Sequence, residues 1–224
     1  YDWDRVGRAI AVNDRIMGMV RFDYDQRGQV TTTRRDTPDG QSALSHFEYD
    51  PARNIAAVIE AGRSQPVETK AGRIKRRGTV SYRHDECGRV IEKRVEEPGF
   101  RPRVWRMVWD GQDQLASVET PDGAVWRYAY DPLGRRVARA SGGHGYAYQW
   151  EGDHLIAEAP MTADGAVAWD SARHWVYEPG SFRPLAQLDG DALHYVVTDH
   201  VGTPRELFSE DGTEVAWRAE LGLW

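Results

Sequence analysis

The stretch that decides the fold is Val125-Trp126-Arg127-Tyr128-Ala129-Tyr130-Asp131-Pro132-Leu133-Gly134-Arg135-Arg136-Val137-Ala138-Arg139-Ala140. From Val125 to Tyr130 the residues alternate, and β-branched and aromatic side chains recur at a period of two, the pattern of a half-buried strand. Asp131-Pro132-Leu133-Gly134 then reads as a tight turn. Asp caps its own backbone, Pro presets φ, and Gly accepts a positive φ. Alternation resumes from Arg135 to Ala140, so the unit is strand, turn, strand.

This unit recurs along the chain. An aromatic residue followed by an acid, then a Gly or polar residue a few positions on, appears as Tyr1-Asp2 with Gly7-Arg8, Tyr24-Asp25 with Gly28-Gln29, Tyr49-Asp50 with Asn54-Ile55, and His84-Asp85 with Gly88-Arg89. It continues as Trp109-Asp110 with Gln114-Leu115, Tyr130-Asp131 with Gly134-Arg135, and Trp150-Glu151 with His154-Leu155. Two looser copies are Tyr177-Glu178 with Pro184-Leu185 and Thr198-Asp199 with Gly202-Thr203. Nine copies at this spacing do not arise by chance, and self-similarity of this kind marks a repeat architecture. Short polar joints, Thr120-Pro121-Asp122-Gly123 and Ser209-Glu210-Asp211-Gly212, link one hairpin to the next. Only Met161 to Arg173 hints at another period, and it reads equally well as a loop or a hairpin insert.

The expectation is an all-β fold of tandem hairpins forming a curved, spiralling antiparallel sheet, stabilised mainly between neighbouring units. One face would carry Tyr24, Tyr49, Trp109, Tyr130, Trp150 and Tyr177 as an aromatic ladder. Such a ladder reads as packing between repeats, with a sugar- or base-stacking platform as its functional counterpart. The Asp beside each ring reads as a turn cap rather than a catalytic acid.

Composition agrees with a folded chain. Of 224 residues, 40% are hydrophobic and 29% charged, yet nine Trp, ten Tyr and five Phe supply the burial that aliphatics do not. No apolar run approaches the roughly 18 residues of a membrane helix, and no signal peptide opens the chain. Tyr1 and the apolar Leu221-Gly222-Leu223-Trp224 end look like cuts through a longer polypeptide. Cys87 is the single cysteine, which excludes an internal disulfide or a thiolate metal site. A net charge of −6 argues against a nucleic-acid partner. The basic cluster Lys70, Arg73, Lys75, Arg76 and Arg77 reads as a solvated strand end.

The pattern Tyr130-Asp131-Pro132-Leu133-Gly134-Arg135-Arg136-Val137 resembles the YD repeat of Rhs proteins, which is shared with the C component of insecticidal toxin complexes and with teneurins. The stretch from Tyr195 to Leu207, containing Asp199-His200-Val201-Gly202-Thr203-Pro204, followed by Asp211-Gly212 and Val215-Ala216-Trp217, is similar to the Rhs-associated core segment. The resemblance covers essentially the whole chain. It divides the chain into a YD-repeat array at 1–190 and the start of a truncated core segment at 191–224. It implies a structural shell of a bacterial effector that encapsulates a C-terminal toxin for delivery by type VI secretion or a similar injector. The implied partners are the remainder of the same polypeptide, the enclosed toxin, a secretion-apparatus spike and a chaperone, and the protein would be exported from the bacterial cytoplasm. The residues carried over are structural: Tyr24, Asp25, Tyr49, Asp50, Trp109, Asp110, Tyr130, Asp131, Gly134, Arg135, Trp150, Tyr177, Asp199, Gly202 and Pro204. The family's self-cleavage motif, Asp-Pro-x-Gly-Leu, is not matched here; Asp131-Pro132-Leu133-Gly134-Arg135 sits in mid-array and reads as a repeat turn.

Catalysis is not expected within this segment, and neither a cofactor nor a metal is implied. The seven His lack metal-ligand spacing, and no Gly-x-Ser-x-Gly elbow, P-loop or dinucleotide fingerprint occurs. The repeated acids sit on successive turns, not in facing pairs across a cleft as a glycosidase requires. Beside the shell reading stands a carbohydrate-binding cell-surface module, which would need exposed rings clustered with Asn, Gln and Asp at one place. A third reading is a binding partner within a larger secretion complex.

Overall fold

In the computed structural model, residues 1–14 and 18–219 are described. They fall into two compact units, divided between Arg106 and Met107. The first holds β1 (Asp2–Trp3), β2 (Ala9–Asp14), β3 (Gly18–Tyr24), β4 (Val30–Asp36), β5 (Ser42–Tyr49), β6 (Ile55–Glu60), β7 (Arg63–Lys70), β8 (Arg73–Arg77), β9 (Val80–His84), β10 (Val90–Val95) and the start of β11 (Arg103–Trp109). Each strand pairs antiparallel with the next. The second holds β12 (Leu115–Glu119), β13 (Val125–Tyr130), β14 (Arg136–Ser141), β15 (His144–Glu151), β16 (His154–Met161), β17 (Arg173–Tyr177), β18 (Pro184–Asp189), β19 (Ala192–Thr198), β20 (Pro204–Ser209) and β21 (Val215–Arg218), again a meander of antiparallel neighbours. The fold is all-β. Met161 to Arg173 is a loop that closes through a bridge between Met161 and Val167 and one 3-10 turn, Trp169–Ser171.

The turns explain why the meander forms. At Asp131 the backbone N–H donates to the Arg135 carbonyl (2.9 Å), and the Gly134 N–H donates back to the Asp131 carbonyl (3.0 Å). Gly134 sits at φ +82°, and the pairing slips by one residue beside Tyr130. This is a type I turn closed by a left-handed residue and a bulge, the three-residue hairpin connection. The same bonds recur at Asp4, Asp25, Asp50, Asp85 and Asp199. At Asp50 the left-handed position is filled by Arg53 at φ +68° rather than by glycine.

Four of the joints between hairpins are the same turn with threonine or serine in place of the acid. At Thr37, Thr120 and Thr162 the N–H donates to the carbonyl four residues on, and the following glycine N–H returns the bond. Ser209 does likewise, with its N–H reaching the Glu214 carbonyl one position further. In a meander successive turns lie at opposite ends of the strands, so the Asp turns occupy one end in each unit and the Thr/Ser turns the other.

Each unit has two unlike faces. In the first, register places Phe22, Thr33, Ser45 and Phe47 on the face that carries Tyr24 and Tyr49, and Phe47 pairs with Val58, both buried. In the second, Tyr128, Arg139, Tyr146 and Pro160 form a row on the face of Tyr130, Trp150 and Tyr177. The opposite face there carries Ala129, Ala138, Ala147 and Ala159 in a row. Over that alanine face the Met161–Arg173 loop folds back, and Ala157, Ala159 and Ala172 pack with Val167. Val58 is the largest side chain that is fully buried among the described residues, as expected for a single layer of sheet.

Removing the Asp131 carboxylate (D131A) strips two backbone N–H partners, and G134A forces a side chain into the left-handed region beside Gln114. Each is expected to cost about 1–2 kcal/mol in urea unfolding.

Candidate functional site

The repeated residues meet at the junction between one hairpin and the next, and each has a separate task. The ring comes first. Tyr24 Oη donates to the Ala9 carbonyl (2.7 Å), Tyr49 Oη to Val30 (2.7 Å), Tyr130 Oη to Leu115 (3.0 Å) and Tyr177 Oη to Leu155 (2.9 Å). Trp150 makes the same reach with its indole N–H, to the Arg136 carbonyl (2.8 Å). Each acceptor lies at or next to the start of the strand leaving the preceding turn, so each of these five rings ties its hairpin to the one before. Burial raises the pKa of the Tyr24, Tyr49 and Tyr177 hydroxyls and keeps them as donors.

The acid comes second. Asp131 Oδ1 accepts the N–H of Leu133 and of Arg135 (both 2.9 Å), and Oδ2 accepts the Arg135 guanidinium (2.7 Å). Asp4 with Arg8 and Asp85 with Arg89 repeat the arrangement, and Asn54 takes the arginine's place at Asp50. At Asp110 and Asp199 the capped residues are Gln114 and Thr203. Hydrogen bonds from the Arg8 backbone hold Asp4 below its ordinary pKa, and the Asn54 side chain does the same for Asp50. For Asp131 partial burial pulls upward, and the Arg135 backbone and guanidinium pull further down.

The basic or amide residue after the glycine comes third, reaching forward to the next turn. Arg135 Nη1 donates to the Gly152 carbonyl, and Gln29 Nε2 to the Arg53 carbonyl (3.3 Å). Gln114 lies against Gly134, where an added Cβ would approach its amide to 3.2 Å. Guanidinium groups also fill the spaces between rings: Arg8 lies 4.6 Å from the Tyr24 ring centre, Arg136 4.5 Å from Tyr128, and Arg139 4.7 Å from Tyr146. The ladder is therefore bound through ring tips and interleaved cations.

Several placements differ from the reading of the sequence. The first copy is Trp3-Asp4 rather than Tyr1-Asp2, since Asp4 accepts the Val6 and Arg8 N–H groups; the fixed Asp-x-x-Gly spacing to Gly7 carries that signal. Glu151 caps nothing and instead pairs with His154 across the two-residue turn Gly152-Asp153. The Glu178 loop spans six residues, with its N–H donating to the Arg183 carbonyl. It is fastened by His154, whose Nε2 lies 2.9 Å from the Ser181 carbonyl and whose ring stacks on Phe182. Trp109 closes β11 ahead of the Asp110 turn, Gly202 takes φ +87° in the Asp199 turn, and Pro204 opens β20 opposite Thr198. His84 stands in the ring position of its copy, and its Nδ1 is shielded from water without a hydrogen-bond partner. Among the described residues no group of three His, Cys, Asp or Glu side chains could hold a metal ion, and no helix is long and apolar enough to cross a membrane.

A hairpin array whose units are joined by a ring, an acid, a glycine and a basic residue is a YD-repeat sheet. Residues 3–218 match the family described as Teneurin YD-shell, and the chain belongs to that family. It is 31% identical, over 91% of its length, to "Probable deoxyribonuclease RhsA" of Dickeya dadantii, of which it covers 15%. It is 29% identical to "Double-stranded DNA deaminase toxin A" of Burkholderia cenocepacia and 26% identical to "Toxin protein Tse5" of Pseudomonas aeruginosa, in both cases over 100% of its length and over 17% and 21% of theirs. The chain thus spans about a fifth or less of these relatives. Among solved structures it is similar to the "TcdB2-TccC3-TEV" crystal structure, with 14% identity, a TM-score of 0.44, and coverage of 92% of this chain and 12% of that one.

The ties make two predictions. Y49F and Y130F each remove one hydroxyl-to-carbonyl bond while keeping the ring, and each is expected to cost about 0.5–1.5 kcal/mol in urea unfolding, whereas the corresponding alanine variants lose the packing as well. In acid, the capped carboxylates protonate less readily in the folded chain than in the unfolded one. Their stabilisation is complete above the ordinary value of 3.8 and is lost as pH falls through it toward the lowered folded values. Burial, then Lys75 and Arg73, lowers the His84 pKa from 6.5, so this position sheds stability earlier, as pH falls below that value. Thermal unfolding followed from pH 8 to 3 is expected to show a shallow loss that H84F abolishes and a steeper one that it leaves in place.

Proposed function

We propose that this chain is a wall segment of a shell that encloses a toxin domain lying further along the same polypeptide. What carries the reading is the tie itself. The hairpins of Tyr24, Tyr49, Tyr130, Trp150 and Tyr177 bond backward through their rings, and those of Gln29 and Arg135 bond forward through the residue after the glycine, so the array extends by addition of like units. Membership of the Teneurin YD-shell family supports a wall role, as does similarity to large polypeptides named as deoxyribonuclease, deaminase and toxin.

On this reading the repeated residues are structural, with residues 1–190 forming the array and 191–224 beginning the core segment that follows it. Residues 220–224 lie outside the described part. Any catalytic activity belongs to the enclosed domain. The repeats of the whole polypeptide wall in the cargo, and the assembled effector leaves the bacterial cytoplasm through a type VI or similar apparatus, with a spike and a chaperone as its partners.

The test uses the intact polypeptide that contains this segment. Limited proteolysis of the native protein is expected to spare the C-terminal domain and to leave it inactive. Combined Y24F, Y49F and Y130F substitutions are expected to expose it to protease at a lower urea concentration. Equal cleavage of the C-terminal domain in the intact and the tie-deficient proteins would overturn the proposal.

A further inference from the structure

Charge is unevenly spread along the chain. Between Arg63 and Arg106 stand thirteen Lys and Arg against six Asp and Glu, a net +7 in a chain whose total is −6. Register sorts these residues onto two faces. On one face Glu68, Arg76, Ser81, Arg94 and Val104 follow one another across β7 to β11, and beside them Arg83 pairs with Glu92 and Glu92 with Arg106. The opposite face takes the rings, with Tyr82, Lys93 and Trp105 in one row. The arginine face is open: Arg83 and Arg106 keep 69% and 57% of their side chains exposed. Its acids are too few for its cations. Glu92 serves both Arg83 (3.4 Å) and Arg106 (4.0 Å), and Arg94 is held by Glu96 (2.7 Å). Lys70 and Arg73 stand opposite each other where β7 turns into β8. Among the described residues neither these two nor Arg76 has a carboxylate within ion-pair distance.

We infer that this face docks an acidic segment of another protein. Three features select that partner. First, the face is built of arginine more than lysine, and the guanidinium fork holds a carboxylate through two parallel bonds. Second, the charge is mixed. Glu68 and Glu92 lie among the cations, where they repel a uniformly anionic polymer such as a nucleic-acid backbone, whereas a protein segment can set its own hydroxyls or cations opposite them. Third, the rings are elsewhere. Tyr82 and Trp105 point to the opposite face, so this one has no platform on which bases stack and no aromatic anchor for lipid headgroups. From β8 to β11 the arginines span three strand spacings, about 14 Å at ~4.8 Å per strand, which about four extended residues cross. None of these side chains belongs to the ring ties, and the site stands independently of the shell reading.

Fluorescence anisotropy of a labelled twelve-residue peptide of alternating Glu and Thr, titrated with the chain, tests the assignment beside an oligo-dT of equal length and phosphatidylserine vesicles. Saturable binding of the peptide is expected at about 50 mM NaCl, weakened roughly tenfold or more at about 300 mM. R76S and R83S are each expected to weaken it about three- to tenfold. K93S removes the same charge from the opposite face and is expected to change it less than about twofold. Both arginines are exposed, so unchanged thermal midpoints confine the effect to the face. Absence of saturable peptide binding up to millimolar chain, a loss in K93S equal to that in R83S, or tighter binding of oligo-dT or of the vesicles than of the peptide would each overturn the inference.

Discussion

The bond from Tyr49 Oη to the Val30 carbonyl, and its counterparts at Tyr24, Tyr130, Trp150 and Tyr177, is the contact on which the array depends. A lone two-stranded hairpin is marginal in water, and a single layer of sheet buries little: few large side chains here are fully enclosed. Each hairpin must therefore gain its stability from the one before it. The ring does this twice, by covering apolar surface between hairpins and by donating its polar tip to a backbone carbonyl at the start of the preceding hairpin's second strand. Phenol and indole are both suited to this, since each has an apolar body and one donor at its edge.

The other motif residues make that reach possible. Asp fixes the turn by accepting two N–H groups, which sets where the ring leaves the strand. The left-handed glycine produces the bulge that shifts register beside the ring, and it also leaves space for the side chain arriving from the previous turn. The residue after the glycine holds the Asp carboxylate and extends to the following turn, as Arg135 does toward Gly152. The motif is thus a joint between three consecutive hairpins, although it is written within one turn. Position 84 shows what the joint requires: histidine keeps the ring, but its Nδ1 is left shielded and unbonded.

Much of this was legible in the residues. Alternation and turn chemistry mark the strands, because side chains in a strand take opposite faces and only a few residue types tolerate the turn dihedrals. The capping role of Asp25, Asp50, Asp110, Asp131 and Asp199 is local and spans five residues. Less legible was the first copy, where Tyr1-Asp2 competes with Trp3-Asp4 until the distance to Gly7 is weighed. The Thr37, Thr120 and Thr162 joints are the same turn in a different residue type, a hydroxyl standing in for a carboxylate, and composition alone labels them only as polar.

The sequence by itself determined that the chain is all-β, that it repeats, and where the hairpins capped by Asp25, Asp50, Asp85, Asp110, Asp131 and Asp199 turn, because those properties rest on contacts between residues close along the chain. Only the tertiary structure decided that the rings tie to backbone carbonyls instead of stacking on one another. It alone brought Arg76, Arg83, Arg94 and Arg106 to one face from four different strands. Both outcomes depend on register between hairpins, which is set by bulges and by pairing across the sheet, and no local pattern records which residues that pairing makes neighbours.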